Sequence, residues 1–371
     1  MKEFQIGTFI KKRRKELGMS QQQLSTGLCS MPTISRVENN VQIPNRRLTR
    51  NLLERLGVSS DPIFALWGSE DIGVGAFMRE IRANLIKYRK SLYEERDIIK
   101  RMLQEELVEL EKIADPDDLV TRQFLLSHRA ILGEPGKVCS GEERLAMQIE
   151  AIRLTCPQFD PSDFSNSFFT MGETTLINQI ANTYAAIGDK KRAIDIHSQL
   201  LSYVEKNHKD LDNYPNQFCL ISLNYSIELT LEKHYIDAIK VAERGRKVCI
   251  KNVEYQFLPG FLAVQAECFY FLGELEKSRK LYLQAYHLYE AFEDESNMKN
   301  MRWEMNEHLG IEILPSEFEI YAEPAGFPAP SLSGTLETDA APSGGSFLSG
   351  VPGSTCSTNT GGSHGSGISE A

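Results

Sequence analysis

Three segments in the second half of the chain repeat one pattern of small, aromatic and turn-forming positions, and this repeat constrains the fold most. In the first segment, Ala181 is small enough for two helices to approach, Tyr184 fills the space between them, and Gly188 suits a turn. Apolar residues recur at three- and four-residue steps, and no alternating pattern of useful length predicts a strand. The sequence therefore predicts an all-α fold of stacked helical hairpins.

The three segments start near residues 174, 219 and 259, and Lys233 replaces the turn glycine in the second. They resemble tetratricopeptide repeats, although the usual period is shorter, about 34 residues. The resemblance implies a right-handed superhelix in which the first helix of each hairpin lines a concave groove.

Four polar residues are predicted to line that groove as peptide-binding residues. Asn178 and Asn182 lie one helical turn apart on the inner face of the first segment. Asn224 in the second segment and Glu267 in the third have comparable inner offsets. An asparagine amide offers both a donor and an acceptor, as an extended peptide backbone requires. The alternative is that these are ordinary solvated polar positions.

The N-terminal segment contains five short helical patterns separated by turn signals. Ser20 and Ser30 are suitable N-caps for the second and third helices, and Gly27 lies at the turn between them. The fifth pattern covers residues 60–67. This arrangement has the spacing of a helix-turn-helix, in which the second helix of the pair enters the DNA major groove.

The segment resembles the five-helix, lambda-repressor-like domains of the Xre family over residues 5–68. The resemblance implies that Arg14 and Glu38 form a structural ion pair. The segment departs from the family pattern at Met31 and Pro32, where many relatives carry polar base readers. By this resemblance the predicted DNA-binding residues are Gln21, Gln22, Met31, Pro32, Thr33, Ser35, Arg36, Asn39, Arg46 and Arg47.

The distribution of charge supports this assignment, although the formal net charge of the chain is −10. Residues 1–55 hold eleven Lys or Arg and four Asp or Glu, a net charge of +7. Residues 56–302 have a net charge of −8, and the remainder contributes −9 without a single Lys or Arg. A compact basic head on an acidic body is typical of a polyanion-binding module carried by a regulatory domain.

The composition and motifs divide the chain into four parts. Residues 1–70 are the predicted DNA-binding head, and 71–113 are a linker with a long connecting helix. Residues 114–312 form the predicted repeat domain for peptide sensing and dimerisation. The Gly- and Ser-rich residues 313–371 are predicted to be disordered, because they cannot bury enough surface to offset their conformational entropy.

A head of this type followed by helical repeats resembles the peptide-responsive quorum-sensing regulators of Gram-positive bacteria (the Rgg, Rap, NprR, PlcR and PrgX group). The resemblance implies a transcriptional regulator that binds double-stranded DNA as a homodimer. A short signalling peptide in the groove would alter the dimer geometry and DNA binding. The alternative is a helix-turn-helix repressor or adaptor whose groove docks a partner protein.

Other classes of function find little support in the sequence. The histidines are isolated and the seven cysteines are scattered, so we expect no catalytic site, metal or cofactor. Some relatives sequester or dephosphorylate a response regulator, but no catalytic motif specifies this here. No apolar run has membrane-spanning length and the N-terminus lacks a signal-peptide core, so we expect a cytoplasmic protein without membrane contact.

Overall fold

The computed structural model describes residues 5–58, 73–91, 93–133, 139–165, 167–207 and 215–311. These residues form helices and no strands, so the all-α prediction is confirmed. The predicted fifth head helix and the predicted disordered tail, residues 313–371, lie outside the described residues. The helices are α1 (Ile6–Glu16), α2 (Gln21–Ser25), α3 (Met31–Glu38), α4 (Arg46–Arg55), α5 (Val74–Lys90), α6 (Tyr93–Ile113), α7 (Leu119–Leu132), α8 (Gly141–Thr155), α9 (Met171–Ala186), α10 (Lys190–Asn207), α11 (Pro215–Leu231), α12 (Tyr235–Lys251), α13 (Leu258–Phe271), α14 (Leu275–Ala291) and α15 (Glu295–Leu309).

The head, α1 to α4, packs around a small apolar core. Ile10, Leu24, Ile34 and Val37 are fully buried there and come from α1, α2 and α3. Ser20 and Ser30 cap α2 and α3 as predicted, because their side chains accept hydrogen bonds from the backbone N–H groups of the first turns. These caps fix where α3 begins.

The predicted ion pair between Arg14 and Glu38 holds α1 against α3. Arg14 Nη2 donates to Glu38 Oε2 at 2.9 Å, and a second bond joins Arg14 Nε to Oε1. Burial works against ionisation of Glu38, but the hydrogen bonds from Arg14 and Gln21 outweigh it and the pKa of Glu38 is lowered. The pair is therefore structural, as the family resemblance implies.

The segment between the head and the repeats, which the sequence predicts as one or two amphipathic helices, forms two. Helices α5 and α6 pack on each other and on α7. Their shared core includes Ile81 from α5, Leu103 and Leu107 from α6, and Phe124 from α7. The two helices thus extend the repeat body at its N-terminal end.

The described residues of the repeat body form four helical hairpins and a final helix. The hairpins are α7–α8, α9–α10, α11–α12 and α13–α14, and α15 packs on the last of them. In the first predicted segment, Ala181 and Tyr184 are buried in the core and Gly188 has a φ of +93° at the turn. Lys233 takes the equivalent turn with a φ of +65°, so it adopts the left-handed conformation without being a glycine.

The head is fixed to the body by a buried ion pair between Arg55 and Glu173. Arg55, at the end of α4, donates from Nη2 to Glu173 Oε1 at 2.8 Å, and both side chains are only 1% exposed. Arg55 also donates to the backbone carbonyls of Leu24 and Thr26. Glu173 lies in the first turn of α9 and also accepts from the Thr170 backbone N–H, closing a capping box.

Further contacts reinforce this junction. The Met171 backbone N–H donates to Glu54 Oε2 at 3.2 Å, and burial raises the pKa of Glu54 to about 7. Gly27, with a φ of +71°, approaches the backbone of Thr155 so closely that a Cβ atom there would lie 2.4 Å from it. The glycine predicted at the helix-turn-helix turn therefore serves both the turn and the docking of the head.

We expect Glu173→Gln to lower the free energy of unfolding by about 3–5 kcal/mol, because Arg55 would remain buried without its counter-charge. Glutamine preserves the capping box, so the change isolates the charge. The matched control is Asp237→Asn, which breaks an exposed ion pair with Lys240 and should cost less than about 1 kcal/mol. Urea denaturation measures the free energy of unfolding of both variants. Equal effects of the two variants would contradict the role assigned to the buried pair.

Candidate functional site

The outward face of α3 is open to solvent and carries most of the predicted base-reading residues. Met31, Pro32 and Arg36 are exposed, and Ser35 is half-buried beside them. Ile34 and Val37 point into the core. This spacing places residues 31, 32, 35 and 36 on one side of a single helix. The docking of the head on the body leaves that side uncovered.

Several of the other predicted DNA-binding side chains already have partners within the head. Gln21 Nε2 donates to Glu38 Oε2 at 2.8 Å, and Lys11 Nζ donates to Asn39 Oδ1 at 2.9 Å. The Thr33 hydroxyl lies 2.9 Å from the Ser30 hydroxyl. Gln22 is exposed on α2 next to Gln21.

The two arginines at the start of α4 have different surroundings from Arg36. Arg47 donates to the carboxylate of Asp118 and to the hydroxyl of Thr121, both in the body. Arg46 is half-buried. Arg36, in contrast, is exposed on α3, and its side chain makes no hydrogen bond or ion pair within the described residues. Its guanidinium is therefore available for a phosphate or a guanine edge.

The four predicted peptide-binding residues lie on the first helices of successive hairpins. Asn178 and Asn182 are on α9, Asn224 is on α11 and Glu267 is on α13. Helix α11 contacts both α9 and α13, which makes these three helices neighbours. Asn178 is 3% exposed and its Oδ1 atom has no hydrogen-bond partner in the described residues, whereas Asn182 is half-buried.

The end of α13 adds aromatic residues that the sequence analysis did not single out. Phe271 stacks on Tyr235 with ring centroids 5.1 Å apart, and Tyr270 stacks on His308 at 4.3 Å. Tyr270 and Phe271 follow Glu267 at three- and four-residue spacing, so they share its side of the helix. That spacing is the sequence signal that could have identified them.

The charges of the three inner helices have one sign. Helices α9, α11 and α13 contain no Lys or Arg, and each contains a single glutamate: Glu173, Glu228 and Glu267. Glu173 is neutralised by Arg55. Burial raises the pKa of Glu228 to about 7. These three helices thus offer carboxylates and amides but no cation of their own.

In the described part of the chain, no group of three or more His, Cys, Asp or Glu side chains is arranged to hold a metal ion. None of the described helices is both long and apolar enough to cross a membrane.

Comparison of sequences assigns the head to a known type of domain. Residues 10–63 match the family model described as helix-turn-helix. No curated protein sequence matches the chain. The match covers α2, α3 and the turn between them, together with the helix α4 that docks on the body.

Comparison of structures extends the likeness over most of the chain. PlcR of Bacillus thuringiensis, solved with the peptide PapR7 and DNA, is 19% identical, with a TM-score of 0.51 over 80% of this chain and 98% of PlcR. ComR of S. thermophilus, solved with DNA and its signalling peptide ComS, is 16% identical, with a TM-score of 0.42 over 82% of this chain and all of that one. The SHP pheromone receptor Rgg2 of Streptococcus dysgalactiae is 14% identical over the same shares, with a TM-score of 0.41. Residues 10–63 are therefore a helix-turn-helix domain, and the chain has the fold of PlcR.

Proposed function

We propose that this protein is a sequence-specific DNA-binding transcriptional regulator whose repeat body binds a short signalling peptide. The observation that carries the first part is the open face of α3, with the unpaired Arg36, in a helix-turn-helix domain of net positive charge. An exposed helix of this kind fits the major groove, and positive charge attracts the phosphate backbone. The proposal involves no catalytic step and places the protein in the cytoplasm.

The peptide part of the proposal rests on the inner side of the repeats. Asn178 presents a buried acceptor oxygen without a partner, and Asn182 lies one turn further along the same helix. A peptide backbone supplies the missing N–H donors. Because α9, α11 and α13 carry no cations, a peptide with positive charge is favoured over an acidic one.

Regulation would follow if the peptide binds one arrangement of a homodimer better than another. A ligand with equal affinity for both arrangements shifts nothing, so the effect on DNA binding is limited by that difference in affinity. PlcR was solved with a peptide and DNA, which supports the same pair of partners for this chain. The alternative is that the repeat groove docks a partner protein instead.

DNA affinity of the full-length protein should fall steeply as salt rises, because each neutralised phosphate releases counterions. Arg36→Ala should weaken binding to a selected operator by about 1–3 kcal/mol if Arg36 contacts a base, or reduce the salt slope by about one if it contacts a phosphate. Arg279→Ala removes an exposed arginine from α14 and serves as the control. Fluorescence anisotropy at several salt concentrations gives both the affinity and its salt slope. Flat salt dependence would exclude the DNA-binding proposal.

A cognate peptide at 100 times its Kd should raise the free energy of unfolding by about 2.7 kcal/mol, and it should change DNA affinity as well. Candidates are short synthetic peptides encoded near the protein's own gene. Asn182→Ala and Asn178→Ala should abolish both effects, since each removes an amide from the inner face of α9.

Gln284→Ala is the matched control, because it removes an exposed amide from α14, the second helix of its hairpin. Thermal unfolding reports the change in stability, and fluorescence anisotropy reports the change in DNA affinity. A response only to a folded protein would support the partner-docking alternative. Retention of the peptide response in both asparagine variants would contradict the assigned site.

A further inference from the structure

The first turn of α3 presents an apolar surface where a DNA-reading helix usually presents polar groups. Met31 is 47% exposed and Pro32 beside it is also exposed. Neither side chain has a hydrogen-bond donor that could reach a base, and proline lacks even the backbone N–H. On a helix that enters the major groove, side chains of this kind can contact the apolar feature of a base edge.

The polar groups nearest to this turn are directed elsewhere. The Ser30 side chain accepts from the Thr33 backbone N–H, and its hydroxyl lies 2.9 Å from that of Thr33. The first turn of α3 therefore has its hydroxyl groups satisfied within the helix cap. Polar readout is left to Ser35 and Arg36, about one turn further along.

Resting on the DNA-binding function proposed above, we propose that Met31 and Pro32 recognise thymine through its C5-methyl group in the major groove. Each base pair displays a distinct edge there, and the thymine methyl is the apolar feature of that edge. An apolar contact with this methyl is the direct readout open to side chains without donors or acceptors. The nearby Arg36 supplies the charge that holds the helix against the duplex.

The geometry of α3 also limits where this thymine lies. Residues 31 and 36 are five positions apart, which corresponds to about 7.5 Å along the helix axis. Successive base pairs are separated by about 3.4 Å. The thymine recognised by Met31 therefore lies within about two base pairs of the position that Arg36 contacts.

The test uses the full-length protein and a pool of duplexes with a randomised 24-base-pair core. Each thymine of the selected operator is then replaced by deoxyuridine, which removes only the methyl group. One or two replacements in each half-site should lower affinity about fourfold, since burying one such carbon group is worth about 0.8 kcal/mol. Replacements elsewhere should have no effect. Met31→Ala should bind the thymine operator as weakly as wild type binds the deoxyuridine operator, and lose sensitivity to the replacement.

The control is Ile236→Ala, which removes an apolar side chain that is 55% exposed on the body and should keep the deoxyuridine sensitivity. A deoxyuridine effect that persists both in Met31→Ala and in Pro32→Ala would indicate DNA shape rather than methyl contact and would overturn the inference. If no deoxyuridine replacement changed the affinity of the wild-type protein, the inference would also be overturned, although the proposed DNA-binding function would stand. Failure to bind any duplex at low salt would instead refute the proposed function.

Discussion

The ion pair between Arg55 and Glu173 decides how the head is held, because two charges taken out of water must stay together. Breaking such a pair leaves an uncompensated buried charge, which costs far more than an exposed pair contributes. Arg55 also donates to the carbonyls of Leu24 and Thr26, so a single guanidinium joins α2 and α4 to α9. The orientation of α3 on the body follows from this contact.

The same ion pair connects the DNA-binding head to the helix that carries part of the proposed peptide site. Glu173 and Asn178 belong to α9 and are five residues apart, about 7.5 Å along the helix axis. Helix α9 is flanked by α8, α10 and α11, so it is embedded in the body rather than free to move alone. A ligand that displaced α9 would therefore act on the anchor of the head without an intervening flexible segment.

Local patterns were sufficient to predict the helices, their caps and the hairpin stacking. Ser20, Ser30 and Gly188 act through neighbours in the sequence, and their roles were visible from spacing alone. Long-range pairs were not visible. Arg47 fitted a DNA-facing position, yet its guanidinium is bound to Asp118, 71 residues away. Whether it also contacts DNA stays a prediction.

The candidate peptide site was also predicted from local spacing, which gives no information on contacts between distant parts of the chain. Spacing placed Asn178, Asn224 and Glu267 on the first helices of their hairpins, where the structure has them. Their near-complete burial could not be predicted, because α11 and α13 are buried on nearly every side by helices distant in sequence. The role of Glu173 was not predicted, because its spacing from Thr170 is typical of a helix cap and gives no sign of a partner in the head.

The contact of Gly27 with Thr155 limits which helix-turn-helix domains could replace the head of this protein. Helix-turn-helix domains are commonly regarded as modules that can be joined to different regulatory bodies. Here a replacement head would need a residue without a side chain where Gly27 meets the Thr155 backbone. It would also need an arginine to satisfy Glu173, or that carboxylate would be buried without its counter-charge. Head and body are therefore expected to vary together in evolution, and a chimera that ignores these positions would not assemble.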